Sequence, residues 1–372
     1  MSEADDLLPE GLEDRLPQEA ERITRAMRAC LDVLASHGYA RVRPPLVEFE
    51  KSLAGRMDGV QPRRMFRFVD PASLRTLALR SDITPQIGRI AATSLAGAPR
   101  PLRLAYCGET TVIKADQLDP ARERLQLGAE LVGADTAAAA GEVVAVALEA
   151  LAAAGLTGIS VDFTLPDLVD TLSVKALPLD PAMRNAVRRE LDMKDAGGLK
   201  EAGGEAYLPL LYATGAFEQA VAQLEAIDAG GALASRIAGL KEIARRVGAM
   251  AGVDARITLD PTERHGFEYQ SWFGFTLYAD GLRGTLGRGG TYLIKGSDEA
   301  ATGFSLYVDQ LAQALGDPAP QDTLYLPMGH DRAAAARLRA DGWRTIAQIG
   351  DSEDPVALGC THRLEAKTPS LL

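Results

Sequence analysis

Along the first third of the chain the apolar positions change period several times, and each change marks an element. Ile23, Met27, Leu31 and Leu34 recur at helical spacing, which predicts a helix from about Glu19 to Ser36, with Gly38 as its stop. Pro44 and Pro45 forbid helix in the next stretch, so Ala40 to Glu48 reads as extended chain. Met65–Val69 and Leu74–Leu79 are β-rich runs around Asp70-Pro71-Ala72-Ser73, a hairpin pattern. Leu102–Cys107 and Leu125–Val132 are further strands, and an Ala-rich helix is expected from about Ala137 to Ala154, ending at Gly155.

The pattern then becomes almost purely helical from Pro166 to about Gly252, as in a helical insertion within a strand-rich domain. Strand character returns at Tyr269–Tyr278, with Asp280-Gly281 as a tight-turn signal before Gly284–Leu286. An apolar run from Thr302 to Leu315 reads as helix, and Pro318-Ala319-Pro320 as a linker. The remaining residues, 321–372, read strand (Thr323–Leu326), helix (Asp331–Asp341), strand (Arg344–Ile349), a single βαβ unit. The expected organisation is an α+β core over residues 1–318, carrying the insertion at about 166–252, and a small C-terminal unit at 321–372.

Composition narrows the class of protein. With 372 residues, 47% hydrophobic and 24% charged, the chain suits a globular protein of two or three domains. No apolar run is long enough to span a membrane, and the acidic start lacks a signal-like stretch, so a cytoplasmic protein is expected. Cys30, Cys107 and Cys360 lie far apart without zinc or redox spacing, so neither a metal nor a disulfide framework is expected. A formal charge of −11 lowers the odds of nucleic-acid binding without excluding a local basic patch. The basic run Arg63, Arg64 and Arg67 could hold a phosphate or simply be solvated.

Six segments in order resemble histidyl-tRNA synthetase, over about residues 8 to 315. Pro9-Glu10-Gly11-Leu12-Glu13-Asp14 resembles its entry signature, and Gly38-Tyr39 with Pro45-Leu46-Val47-Glu48 its dimer-forming motif 1. Leu79-Arg80-Ser81-Asp82-Ile83-Thr84-Pro85 is similar to the Arg-Pro-Glu-x-Thr segment, and Gln126-Leu127-Gly128-Ala129-Glu130 to a Gln-x-Gly-x-Glu strand. Gly289-Gly290-Thr291-Tyr292 resembles the histidine-specific Gly-Gly-Arg-Tyr, although the glycine pair could equally be a turn. Gly303-Phe304-Ser305-Leu306 resembles motif 3, read as opening a helix. The fold this implies is a class II synthetase-like antiparallel sheet flanked by helices.

Adenylation requires fixed cations where charge develops on the α-phosphate, and arginine suits that task. The resemblance places such arginines at positions occupied here by Val112, in Thr111-Val112-Ile113-Lys114, and by Gln310, in Asp309-Gln310. No catalytic residue and no cofactor are therefore expected. The amino-acid side is kept: the resemblance assigns Asp82, Thr84, Gln126 and Glu130 to the ammonium of a free amino acid, and Tyr269 and Tyr292 to the neighbourhood of an imidazole. His265 and Gln270 depart from the family's Arg-Gly-Leu-Asp-Tyr-Tyr. A tail of 52 residues is shorter than the synthetase's anticodon-binding domain, so tRNA is not an expected ligand.

Losing the ATP grip and the tRNA handle together is similar to the regulatory subunits of ATP phosphoribosyltransferase. That resemblance implies a non-catalytic homodimer that partners a short-form catalytic subunit, binds free L-histidine and confers feedback inhibition in histidine biosynthesis. The alternative is a divergent enzyme that activates an amino acid with ATP for an acceptor other than tRNA.

Overall fold

The computed structural model describes residues 7–55, 62–114, 120–228, 230–250, 252–264, 270–297, 299–317 and 321–372. It divides into two compact units, residues 1–315 and 316–372.

The first unit begins with α1 (Pro17–Ser36), β1 (Ala40–Arg41), β2 (Val47–Phe49) and α2 (Glu50–Gly55). There follow β3 (Arg67–Val69), β4 (Thr76–Leu79), α3 (Thr84–Ala92), β5 (Leu102–Thr111), β6 (Glu123–Val132), α4 (Ala137–Ala153) and β7 (Ile159–Thr164). The helical stretch holds α5 (Leu168–Lys175), α6 (Pro181–Asp192), α7 (Ala196–Glu201), β8 (Gly215–Ala216), α8 (Phe217–Ile227) and α9 (Ala234–Gly248). The unit closes with β9 (Ala255–Leu259), β10 (Gln270–Ala279), β11 (Gly287–Ile294), β12 (Glu299–Tyr307) and α10 (Val308–Ala314). Nine strands form one sheet in the order β1-β5-β6-β12-β11-β10-β7-β9-β8, and its centre from β5 to β7 is antiparallel throughout.

Alternation along these strands sorts the two faces. Leu127, Ala129 and Leu131 of β6 point with Phe304, Phe273, Phe275 and Phe163 into the main core. Covering them are the seam Ile23, Ala26, Cys30 and Leu34 of α1 and the aliphatic length of α4, from Val143 to Leu151, with α9 beyond. Met27 and Leu31, expected on that seam, are only partly buried beside it. Each fully buried Leu or Phe here stabilises the fold by about 1.5–3 kcal/mol before entropy is counted. The opposite face is polar and carries the candidate site.

Three elements differ from expectation. Thr302–Tyr307 belongs to a strand, not to a helix: both edges of β12 are hydrogen-bonded, to β6 and β11, and only Val308–Ala314 is helical. A short apolar run buried on both faces carries no period that separates the two states. Asp280-Gly281 does not close a two-residue hairpin, because β10 ends at Ala279 and β11 begins only at Gly287. Gly289-Gly290 is not a turn but the middle of β11.

The motif 1 segment is held by Arg80, a buried arginine on the chain just after β4. Its guanidinium donates to the carbonyl oxygens of Pro44 at 3.0 Å and Glu109 at 2.7 Å, tying the proline-rich segment to β5.

The second unit has β13 (Thr323–Leu326), α11 (Arg332–Ala340), β14 (Arg344–Ala347), β15 (His362–Glu365) and β16 (Thr368–Leu371). β13, α11 and β14 make the expected βαβ crossover with parallel strands; the antiparallel β15–β16 hairpin on the other side of β13 is additional to it. Leu324, Leu326, Ala335 and Leu364 form its core. The expected linker at Pro318–Pro320 lies outside the described residues.

Candidate functional site

On the polar face the register sets one line of residues straight across four strands. Glu130 of β6 stands opposite Gly303 of β12, which stands opposite Gly290 of β11, which stands opposite Gly274 of β10. Three adjacent strands thus contribute glycine, and the sheet surface sinks into a trough floored by backbone. The space is needed: a Cβ on Gly303 would lie 1.6 Å from Oε2 of Glu130. One on Gly290 would lie 2.5 Å from the carbonyl oxygen of Phe273. The hollow is bounded by Thr84, Glu130, Gln270, Arg288, Tyr292 and Ser305 besides the glycines and Phe304.

Glu130 lies at the floor, 1% exposed, and its carboxylate accepts hydrogen bonds from the hydroxyls of Tyr292 at 2.8 Å and Tyr106 at 3.2 Å. Burial pushes its carboxyl up to about 8. The Tyr292 hydrogen bond opposes that rise, the nearby Asp82 charge adds to it, and Tyr106 and Thr84 oppose it less. Near neutral pH this group is therefore largely protonated. Tyr106 shares its own hydroxyl with Ser305 at 2.8 Å and Thr84 at 3.3 Å, and burial lifts it well above the usual phenol range.

Gln126 sits two pleats along β6, on the same face. Its amide nitrogen donates to Asp82 at 2.8 Å and to the Ser305 hydroxyl at 2.7 Å, while its oxygen accepts from the backbone N–H of Ile83 at 2.9 Å. Asp82 also accepts from the backbone N–H of Thr84 at 3.0 Å, fixing the start of α3 against the sheet. Asp82, Thr84, Gln126, Glu130 and Tyr292 are thus joined in one hydrogen-bonded network. Tyr269 lies outside the described residues, as does His265.

Ser305, Arg288 and Gln270 complete the hollow, Tyr106 lies buried beneath it in the same network, and none of the four stands among the expected site residues. Ser305 is within reach of the sequence, since it lies in the quoted Gly-Phe-Ser-Leu; a helical reading of that segment hides its alternation with Gly303. Tyr106 and Arg288 enter only through cross-strand register, Tyr106 opposite Gly128 and Arg288 opposite Ser305.

At the two positions where an adenylating relative carries arginine, the structure has apolar or neutral groups in structural surroundings. The backbone N–H of Val112 donates to the carbonyl of Arg122 at 2.9 Å. Beside Gln310, the carboxylate of Asp309 accepts from the backbone N–H of Leu125 at 2.6 Å, so it anchors α10 to β6. Among the described residues no group of three or more His, Cys, Asp or Glu side chains could hold a metal ion, and no helix is long and apolar enough to cross a membrane.

Comparison with known proteins agrees with this architecture. Residues 11–311 match the family described as histidyl-tRNA synthetase. A crystal structure of an ATP phosphoribosyltransferase regulatory subunit/histidyl-tRNA synthetase, from Bacillus halodurans, superposes with a TM-score of 0.82 at 24% identity, covering 95% of this chain and 96% of that one. Histidyl-tRNA synthetase from Nostoc superposes with a TM-score of 0.78 at 15% identity, covering 96% and 90%. At these identities the likeness speaks for the fold. In sequence, the ATP phosphoribosyltransferase regulatory subunit of Rhodospirillum centenum is 40% identical over 363 residues, 96% of this chain and 94% of the relative. That of Paramagnetospirillum magneticum is 40% identical over 369 residues, 96% of each. The chain belongs to the histidyl-tRNA synthetase-like family and, within it, to the regulatory subunits of ATP phosphoribosyltransferase.

Proposed function

We propose that this chain has no catalysis of its own, assembles as a homodimer with a short-form ATP phosphoribosyltransferase catalytic subunit, and reports free L-histidine to it through the trough. The observation that carries the reading is the asymmetry of the site. The amino-acid side is a complete hydrogen-bonded network, while Val112 and Gln310 stand where ATP would need arginine. A pocket of this kind can hold an amino acid and cannot readily steady a leaving pyrophosphate.

The network divides the work within the pocket. Asp82, in reach of Gln126 and Thr84, offers carboxylate oxygens to an ammonium. Glu130, which the resemblance assigns to the ammonium, lies deeper, between two phenol hydroxyls, and we read it instead as facing the ring: a largely protonated carboxyl can donate to a neutral ring nitrogen, and an imidazolium would favour its ionised form. Tyr292 stands beside it. Occupancy shifts the complex only by the difference in histidine affinity between its arrangements, typically worth about 1–3 kcal/mol. The homodimer is expected to use the motif 1 segment around Pro45, which a two-fold pairing would place against its own copy.

Reconstitution tests this. Added to a short-form catalytic subunit, the protein should raise its rate and make it histidine-sensitive. Glu130→Ala or Asp82→Ala should raise the histidine concentration for half-inhibition about ten- to a hundredfold, the cost of one lost partner to a buried polar group. A complex that forms yet stays fully inhibited with Glu130→Ala would place histidine sensing elsewhere. Light scattering showing a monodisperse monomer at micromolar concentration would remove the homodimer.

A further inference from the structure

A free amino acid brings two charges into a pocket, and the acid side of this trough answers only one of them. Asp82, Gln126 and Glu130 supply groups for an ammonium and a ring nitrogen; a carboxylate needs a cation or convergent N–H donors. Among the residues that bound the hollow, Arg288 is the one with a fixed positive charge. It stands on β11, two residues before Gly290, so its side chain leaves the sheet on the face that carries Glu130. Its cross-strand neighbours are Ser305 and Thr276, both small, and the glycine row separates it from the Glu130 carboxyl. The trough thus has a carboxyl end and a guanidinium end with a backbone floor between them.

A second hollow shares Gln270 and Arg288 with the first and runs on past Thr164 to Glu263 and Arg264. Burial raises the Glu263 carboxyl; a hydrogen bond with Asp162 opposes that rise most, the Asp260 charge adds to it, and the positive charges of Arg288 and Lys194 oppose it less. Arg288 therefore sits where the two hollows meet, with acidic groups on either side of it.

Resting on the amino-acid reading above, we infer that Arg288 receives the α-carboxylate of the bound amino acid and so makes the pocket prefer amino acids over analogues that lack the carboxylate. A guanidinium can give paired N–H donors to both carboxylate oxygens, which an ammonium cannot match. Glu263 supplies counter-charge on the far side when no ligand is bound.

The test is direct titration of the full-length protein with L-histidine and with L-histidinol, which keeps the ammonium and the imidazole but has an alcohol in place of the carboxylate. Wild type should bind histidine about ten- to a hundredfold more tightly than histidinol. In Arg288→Met the ratio should fall to near one through weakened histidine, with histidinol little changed. Arg288→Lys should keep part of the ratio. A wild-type ratio retained in Arg288→Met overturns the inference. Equal weakening of both ligands also overturns it, since the arginine would then serve packing alone. Wild type that binds neither ligand removes the amino-acid reading itself, an outcome distinct from both.

Discussion

Replacing Glu130 by glutamine tests the electrostatics of the trough without any ligand or partner. Glutamine keeps the shape and one acceptor oxygen but cannot ionise. In wild type the carboxyl is raised to about 8 in the folded protein, chiefly by burial, against a value of 4.5 in the open chain. The folded state then holds its proton where the unfolded state has released it, so the sign is fixed. The stability is fully present below about pH 4.5, declines as pH rises through the window, and is lost by about pH 8. Over that span the linkage relation gives a decline of about 5 kcal/mol, an upper figure because water entry and relaxation reduce it. Glu130→Gln lacks this slope. It should be near wild type or slightly less stable at pH 5, and more stable by about 2–4 kcal/mol at pH 8.5.

The assay can be confined to the right part of the molecule. The chain has two tryptophans, Trp272 in the first unit and Trp343 in the second. In a Trp343→Phe background, urea unfolding followed by fluorescence reports the first unit alone. The quantity to compare is the difference in unfolding free energy between the Glu130→Gln variant and its parent at pH 5 and at pH 8.5. A difference that does not change with pH would refute the argument, because it would mean that the carboxyl titrates alike in both states.

Gly303→Ala should destabilise the first unit by about 2 kcal/mol or more and abolish ligand binding, because the new methyl would overlap the Glu130 carboxyl; urea midpoints and titration read both. Arg80→Ala should cost about 2–4 kcal/mol, since the buried carbonyl of Pro44 and the part-buried carbonyl of Glu109 lose their charged donor; unfolding in the same background checks it. Histidine binding at about pH 5.5, where the free imidazole is already largely cationic, should release protons as Glu130 ionises against it, which calorimetry in buffers of different ionisation enthalpy would show as unequal heats. Pyrophosphate exchange into ATP with histidine present should not exceed a no-protein control, following from Val112 and Gln310 at the arginine positions.

How much of this could be read in advance differs element by element. The α1 helix is legible from one clear period with a burial face to match, α4 from its length, its alanine content and the Gly155 stop, and β5 and β6 from their β-rich runs. Gln126 and Glu130 were legible as a pair because they alternate with Leu127 and Ala129, which point to the core. Thr302–Tyr307 was misread because a run buried on both faces has no polar side from which to take a period. Gly289-Gly290 was ambiguous for a related reason: glycine marks a turn when judged locally, and here it marks a place where neighbouring side chains, Gln270 at Gly290 among them, press on the backbone. The α3 helix and the β7 and β9 strands are short and carry weak local signals. Tyr106 and Arg288 become site residues only through strands distant in sequence, a relation that no single segment carries.

A trough whose bottom is main chain restricts how its descendants can change. A side chain placed at Gly303 or Gly290 would not reshape the recess but fill it. Selectivity can therefore drift only through the rim, at Gln270, Arg288, Tyr292 and Ser305, while depth is inherited unaltered. Glycine in three neighbouring strands also lends the sheet little stiffness of its own. The rigidity of the recess is borrowed from the reverse side, where the phenylalanines of β10 and β12 pack in the main core that α4 covers. A designer who wished to retune the ligand while leaving the scaffold sound would vary the rim and leave that aromatic backing untouched.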